Sequence, residues 1–186
     1  MLGWETHDNP MTCIIGLAEN DKVYIGADSA SVEGWTVRAT RLPKVFRVGE
    51  FVIGYTDSFR MGQILQHHLK VQDQGDESDM EYMVRFFVEA VRGCLKEYGY
   101  AKVENNTEEG GTFLVGYKGH LYSVESDFQV NEAADGYAAC GCGEKFALGA
   151  MKALEHLLPR QRIRRSLEIA AYFSGAVIPP FKVLYE

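Results

Sequence analysis

The sequence lacks any long apolar run. No stretch approaches the 18 consecutive apolar residues that predict a membrane-spanning helix. The first ten residues, MLGWETHDNP, also lack the charged start and the apolar centre of a secretory signal. Both absences argue against a membrane as a partner, and we expect a cytoplasmic location.

Positive charge and cysteine are both scarce. Lys and Arg number 19 against 26 Asp and Glu, which gives a net charge of −7. An acidic chain of this kind argues against nucleic acid as a main partner. The spacing of the four cysteines fits neither a metal site nor a disulfide framework, so we expect reduced thiols and no cofactor. They are Cys13, Cys94, Cys140 and Cys142.

Apolar runs of strand length come in pairs joined by short turn-forming sequences. Most are continuously apolar, which is typical of strands covered on both faces. The predicted hairpins join Thr12–Ala18 to Lys22–Ala27, Val45–Val48 to Phe51–Tyr55, and Thr112–Tyr117 to Leu121–Glu125. A last edge strand is predicted over Phe181–Tyr185, because Pro179-Pro180 forbids a helix just before it.

Helical periodicity predicts helices that come in pairs between the groups of strands. They fall within Arg60–Lys70, from an N-cap at Asp79 to Gly99, from Phe146 to Leu158 with Pro159 as the stop, and around Ile163–Phe173. The polar segments Gln72–Ser78 and Lys102–Gly110 are predicted loops. Paired helices disfavour a doubly wound parallel sheet. They favour an α+β domain, over residues 12–186, in which two sheets pack together with helices outside.

Thr12 offers a nucleophile that needs no histidine. In MTCIIGLA it follows a methionine and precedes an apolar strand. If Thr12 becomes the first residue, its hydroxyl and a free α-amine share one residue. An α-amine has a pKa of about 8, so part of it is neutral at pH 7 and can accept the hydroxyl proton. This is the threonine variant of an activated nucleophile, and none of the five histidines lies in a recognisable catalytic motif.

The segment MTCIIGLAENDKVYIGADSA resembles the start of proteasome β-type subunits, especially the bacterial HslV-type peptidase. In that family a threonine nucleophile is followed by an aspartate and a lysine. The matching residues are Thr12, Asp28 in IGADSA and Lys44 in RLPKVFRVGEFVIGYT, at separations of 16 and 32 residues from Thr12. Three later segments also resemble the family: GGTFLVGYKGHLYSVESD, CGCGEKFALGAMKAL and SLEIAAYFSGAV. The resemblance implies a four-layer αββα sandwich of the N-terminal-nucleophile (Ntn) hydrolase type.

The resemblance also implies roles for these residues. Lys44 would place a positive charge beside the Thr12 hydroxyl, which lowers the cost of an alkoxide. Asp28 would pair with Lys44 and hold it in place. Taken without Thr12, both residues would be interpreted as surface residues at a turn and at a strand start. Their joint spacing from Thr12 favours the catalytic interpretation instead.

Two positions depart from the family pattern. Ser58 stands where the family has a turn glycine whose N–H stabilises the oxyanion, and a serine prefers φ below zero, so the turn is expected to differ. Cys142 stands where the family has a serine beside the nucleophile's amine, and a thiol is a weaker partner; it reads equally well as a buried residue at a helix start. Where active members carry an aspartate near the last helix, this sequence has Ala170, Ala171 and Tyr172, with Ser174 following.

By offset, the family's pocket walls fall on Ser31, Leu42, Phe46, Thr56 and Arg60. The first four favour a small to medium apolar substrate side chain, whereas Arg60 would favour an acidic one; Leu42 and Phe46 read equally well as core residues. The resemblance further implies a peptide or protein substrate, a homo-oligomeric ring and an ATPase unfoldase as partner.

Residues 1–11 have three possible interpretations: a propeptide, a misassigned translation start or an expression remnant. The main functional hypothesis is a threonine peptidase. A transpeptidase or ligase would use the same acyl-enzyme, and a non-catalytic ring subunit would keep only the scaffold. A nucleophilic Cys13 would require the loss of Thr12 as well.

Overall fold

Two antiparallel sheets form the centre of the protein. The computed structural model describes residues 11–100, 102–104 and 107–186. The first sheet has the order β12 (Tyr137–Cys140), β1 (Ile14–Glu19), β2 (Lys22–Ala27), β13 (Lys182–Tyr185). The second has the order β11 (Val130–Glu132), β10 (His120–Val124), β9 (Phe113–Tyr117), β6 (Phe51–Tyr55), β5 (Val45–Val48). Two separate hairpins pair β3 (Ala30–Glu33) with β4 (Thr36–Ala39), and β7 (Lys102–Glu104) with β8 (Thr107–Glu109).

Helices cover the outer face of each sheet. Those beside the second sheet are α1 (Phe59–His68), α2 (Asp79–Tyr82) and α3 (Val88–Glu97), with a π-helical turn at Met83–Phe87 joining the last two. Those beside the first sheet are α4 (Glu144–Ala153) and α5 (Pro159–Phe173). Across the described ranges, no helix is both long enough and apolar enough to cross a bilayer.

Three apolar clusters fill the spaces between four layers. One lies between the second sheet and its helices and includes Phe51 and Phe87. Another lies between the first sheet and α4 and α5 and includes Ile15. The third lies between the sheets and includes Ile14, because successive residues of a strand face opposite sides. The predicted αββα sandwich is therefore confirmed.

Most predicted elements are confirmed within a few residues. Four strands, β3, β4, β11 and β12, were not predicted, and three further details were wrong. The N-cap of α2 is Ser78, whose N–H donates to Glu81 Oε2 at 3.3 Å, so Asp79 is already helical. Pro159 begins α5 and does not end α4, since proline fits the first helical turn. The predicted loop Lys102–Gly110 contains the β7–β8 ribbon, which a search for apolar runs misses. Residues 1–10 of the predicted leader lie outside the described residues.

Candidate active site

Thr12, Asp28 and Lys44 meet at one end of the two sheets. Thr12 lies just before β1 and Asp28 just after β2, and the antiparallel register that sets Ile14 opposite Ala27 brings these ends together. Lys44 lies just before β5 in the facing sheet. Residues far apart in sequence are thus brought together by the packing of the sandwich.

The three side chains form a closed set of hydrogen bonds. Thr12 Oγ1 donates to Asp28 Oδ1 at 2.5 Å and accepts a hydrogen bond from Lys44 Nζ. Lys44 Nζ also donates to Asp28 Oδ1 at 2.9 Å. The Thr12 hydroxyl therefore lies between a carboxylate and an ammonium group.

Backbone N–H groups hold the Asp28 carboxylate in place. Its Oδ1 accepts from Cys13 N at 3.1 Å, and its Oδ2 accepts from Ala30 N at 2.7 Å and Ile178 N at 3.4 Å. Only 2% of Asp28 is exposed. A buried carboxylate is stable when it is paired and hydrogen-bonded in this way.

Lys44 is also buried, with 5% of the residue exposed. Burial lowers the pKa of its ammonium group, because removal from water disfavours the charged form. The Asp28 carboxylate opposes this effect. Lys44 is therefore a cation whose charge depends on its neighbour.

The Thr12 carbonyl is held from the other side by the turn between β12 and α4. Gly143 N donates to Thr12 O at 3.2 Å, and Cys142 Sγ donates to the same oxygen at 3.4 Å. Cys142 Sγ also lies 3.4 Å from Ser174 Oγ. The Cys142 thiol thus contacts the carbonyl of Thr12, whereas the resemblance implies a contact with its amine.

A cleft of about 690 Å³ opens at Thr12 and Lys44. Met11 lines it beside Thr12 and is 44% exposed, so the Met11–Thr12 peptide bond borders the cleft. The other lining residues are Ala30, Val32, Tyr55, Thr56, Asp57, Ser58, Phe59, Tyr100, Gly110, Thr112 and Ser126. Thr12 lines the cleft but is only 2% exposed in the chain that still carries Met11.

Ser58 lines the cleft with φ of −113°. Its Oγ accepts from Arg60 N at 3.1 Å, which makes Ser58 the N-cap of α1. The left-handed backbone falls one residue earlier, at Asp57 with φ of 65°. Ser58 therefore has a backbone conformation that suits a residue with a side chain.

Several predicted pocket residues do not line this cleft. Thr56 does, but Ser31, between Ala30 and Val32 on β3, faces away because a strand alternates its side chains. Leu42 is 44% exposed in the loop after β4, and Arg60 is exposed on α1. Phe46 is 3% exposed in the core beneath α1. Offsets along the chain do not show which residues line a cleft, because they ignore which face of a strand or helix a residue occupies.

Sequence reasoning missed most of the cleft walls. It also missed Gly141, which has φ of 95° and lies against the Thr12 carbonyl. These wall residues carry no motif, and only the packing of the sheets brings them to Thr12. In the part of the chain that the structure describes, no group of His, Cys, Asp or Glu is arranged to hold a metal ion.

The two packed sheets with helices outside, and the site at their end, define the proteasome-like Ntn-hydrolase fold. The chain belongs to the proteasome subunit family, whose family model matches residues 11–157. Membership supports, in general, an Ntn-type threonine peptidase. A comparison with curated protein sequences finds no match.

Solved structures of similar fold cover most of this chain. Thiobacillus denitrificans BPH is 22% identical with a TM-score of 0.79, and the match covers 94% of this chain and 97% of that one. HslV from Trypanosoma brucei is 20% identical with a TM-score of 0.67, and covers 94% and 98%. Anbu from Yersinia bercovieri is 15% identical with a TM-score of 0.66, and covers 94% and 81%. These likenesses establish the fold.

Proposed function

We propose that the protein is a threonine-type amide or peptide hydrolase that uses Thr12 Oγ1 as its nucleophile after removal of residues 1–11. The observation that carries this proposal is the contact of the Thr12 hydroxyl with a buried lysine–aspartate pair at an open cleft. While Met11 is attached, the Thr12 nitrogen is an amide and cannot act as a base. Removal of Met11 supplies the missing base at the nucleophile itself.

In the proposed reaction, Thr12 Oγ1 attacks the substrate carbonyl carbon and its proton passes to the α-amine of Thr12. Lys44 stabilises the developing negative charge on Oγ1, and Asp28 keeps Lys44 charged. The Ser58 N–H, at the start of α1, is the proposed donor to the oxyanion. The amine then protonates the leaving nitrogen, and water hydrolyses the ester on Thr12. An amine in place of that water would give transpeptidation.

The family supports further proposals about assembly. HslV-like members form oligomeric rings and act on proteins, so we expect this chain to form a homo-oligomeric ring with a peptide or protein substrate and an ATPase unfoldase. The four cysteines are unpaired in the structure, which agrees with a cytoplasmic location.

The test combines intact mass with two covalent probes. Thiobacillus denitrificans BPH has been solved in complex with epoxomicin, which supports an epoxyketone as one probe. A β-lactone acylates only the Thr12 hydroxyl. An epoxyketone has two electrophilic carbons, one of which reacts with the hydroxyl and the other with the α-amine. We expect a chain starting at Thr12 to form both adducts and Thr12→Ala to form neither. A chain that keeps residues 1–11 and forms no adduct would identify a non-catalytic scaffold subunit.

The rate of β-lactone labelling should follow a bell-shaped pH profile. At low pH the α-amine, with a pKa of about 8, is protonated and cannot act as a base. At high pH Lys44 loses its charge, and burial moves this loss below the ordinary lysine value of 10.5. Activity should therefore be present below the Lys44 pKa and fall as pH rises through it. Circular dichroism over the same range controls for unfolding, and a rate that still rises at pH 10.5 would contradict a role for charged Lys44.

A further inference from the structure

A second cavity, of about 700 Å³, lies beside the first cleft. Thr56 and Thr112 line both, so the two spaces meet at this pair. Cys142, which contacts the Thr12 carbonyl, lines the second cavity. Thr12 itself lines only the first cleft, and its carbonyl contacts a residue that lines the second cavity.

This arrangement divides a bound peptide into two parts. The scissile carbonyl must lie at Thr12 Oγ1, and the peptide continues from it in both directions. If the first cleft holds the acyl part, the second cavity is left for the part that departs with the amine. Its volume lies within the range of ordinary ligand pockets.

The charged groups of the second cavity are two carboxylates and one exposed lysine. Glu125 follows β10 and Glu144 is the first residue of α4, and both are half-buried. Neither forms an ion pair with another residue in the described ranges. Lys145 is exposed, so its flexible stem lets the ammonium group reach water.

The charge of Glu125 acts on the carboxyl of Glu144. Burial raises the pKa of the Glu144 carboxyl, and the nearby charge of Glu125 raises it further, whereas Lys145 opposes both effects. A cation placed in the cavity would relieve the repulsion between the two carboxylates. An anion there would face both of them without a buried counter-charge.

We propose that the second cavity binds the residue that follows the scissile bond, and that Glu125 and Glu144 select a lysine or arginine at that position. This inference rests on the proposed function of Thr12, since it names the part of the substrate that the same site receives. The side chain's ammonium or guanidinium group lies between the two carboxylates. Substrates with an acidic residue there are rejected by like charge.

The first test uses peptides that differ only at the residue after the cleaved bond, which is Lys, Leu or Glu. We expect kcat/KM to be about tenfold higher for Lys than for Glu, which corresponds to one charge interaction of ordinary strength. The double variant Glu125→Gln/Glu144→Gln should reduce this ratio to about twofold or less. Glu155→Gln is the matched control, because it removes a carboxylate that is exposed and outside both cavities. A ratio that the double variant leaves unchanged would overturn the proposal.

The second test separates this proposal from the proposed function. A β-lactone needs only the first cleft, where the acyl part of a substrate would bind. If Thr12 is labelled but the peptide assay shows no preference for Lys, the proposed role of the second cavity is wrong and the proposed function of Thr12 still stands. Binding to Thr12→Ala needs no catalysis and is measured by calorimetry with short peptides that begin with Lys or Glu. We expect the Lys peptide to bind about tenfold more tightly and the double variant to remove the difference. Equal binding to Thr12→Ala would overturn the inference whatever the activity of Thr12.

Discussion

Asp28→Asn should slow the reaction of Thr12 by about 100- to 1,000-fold and destabilise the fold by about 3–5 kcal/mol. Asparagine keeps the shape of the side chain but loses its charge, so Lys44 would be buried without a counter-ion. Asparagine also offers one acceptor oxygen where the carboxylate offers two, yet both oxygens accept hydrogen bonds in the structure. Urea unfolding measures the stability, and β-lactone labelling measures the reactivity.

The same prediction has a stricter form in a double-mutant cycle. Lys44→Met leaves Asp28 buried and uncompensated, so it should cost a similar amount to Asp28→Asn. Because the double variant removes both charges, it should cost about 1–3 kcal/mol less than the sum of the two single changes. The surface pair of Lys152 and Glu155, both more than half exposed, is the control and should show no more than about 0.5 kcal/mol of coupling. Additive effects at Asp28 and Lys44 would mean that the two charges do not support one another.

Gly141→Ala should abolish labelling of Thr12 and cost about 2–4 kcal/mol. Gly141 has φ of 95°, a conformation that residues with a side chain rarely adopt. An added Cβ would also lie 2.3 Å from the Thr12 carbonyl oxygen, too close for any real contact. The atom that the Cβ would meet belongs to the backbone and cannot rotate away, so either the turn or Thr12 itself must move. Thermal unfolding and probe labelling measure the two effects.

Gly149 provides the matched control for this change. It lies within α4 and no atom approaches within 4 Å of a Cβ built on it. Gly149→Ala should therefore stabilise the protein by about 0.5–1 kcal/mol and leave labelling unchanged. If Gly141→Ala were as well tolerated, the close contact between the turn and Thr12 would not be needed for the site.

The strands and the central triad are the parts that sequence reasoning predicts best. Apolar runs such as Val45–Val48 are short, continuous and bounded by turn residues, so their pattern predicts a strand. Thr12, Asp28 and Lys44 lie at the ends of such strands, so predicting the strands also placed the residues. However, the separation of the three residues along the sequence does not show that their side chains are in contact. The contact follows from the packing of β5 against the sheet that holds β1 and β2.

The walls of the two cavities could not be predicted in the same way. Tyr55 and Phe59 look like core residues in the sequence, because an apolar side chain beside a cleft has the same pattern as one beneath it. The β3–β4 hairpin carries only four residues per strand and was missed for the same reason as the β7–β8 ribbon. The helix boundary at Pro159 failed because proline is compatible with both a stop and a first turn. In each case the deciding information is tertiary.

The position of β1 between β12 and β2 has a consequence for how the protein loses activity. Because Thr12 leads directly into an interior strand, it does not belong to a loop that can fray by itself. Local opening reaches it only when hydrogen-bonded ladders on both sides of that strand separate, and such ladders are among the last parts of a protein to open. Heat or denaturant should therefore inactivate the nucleophile and melt the sandwich in one cooperative event, with no populated form that is folded yet unreactive.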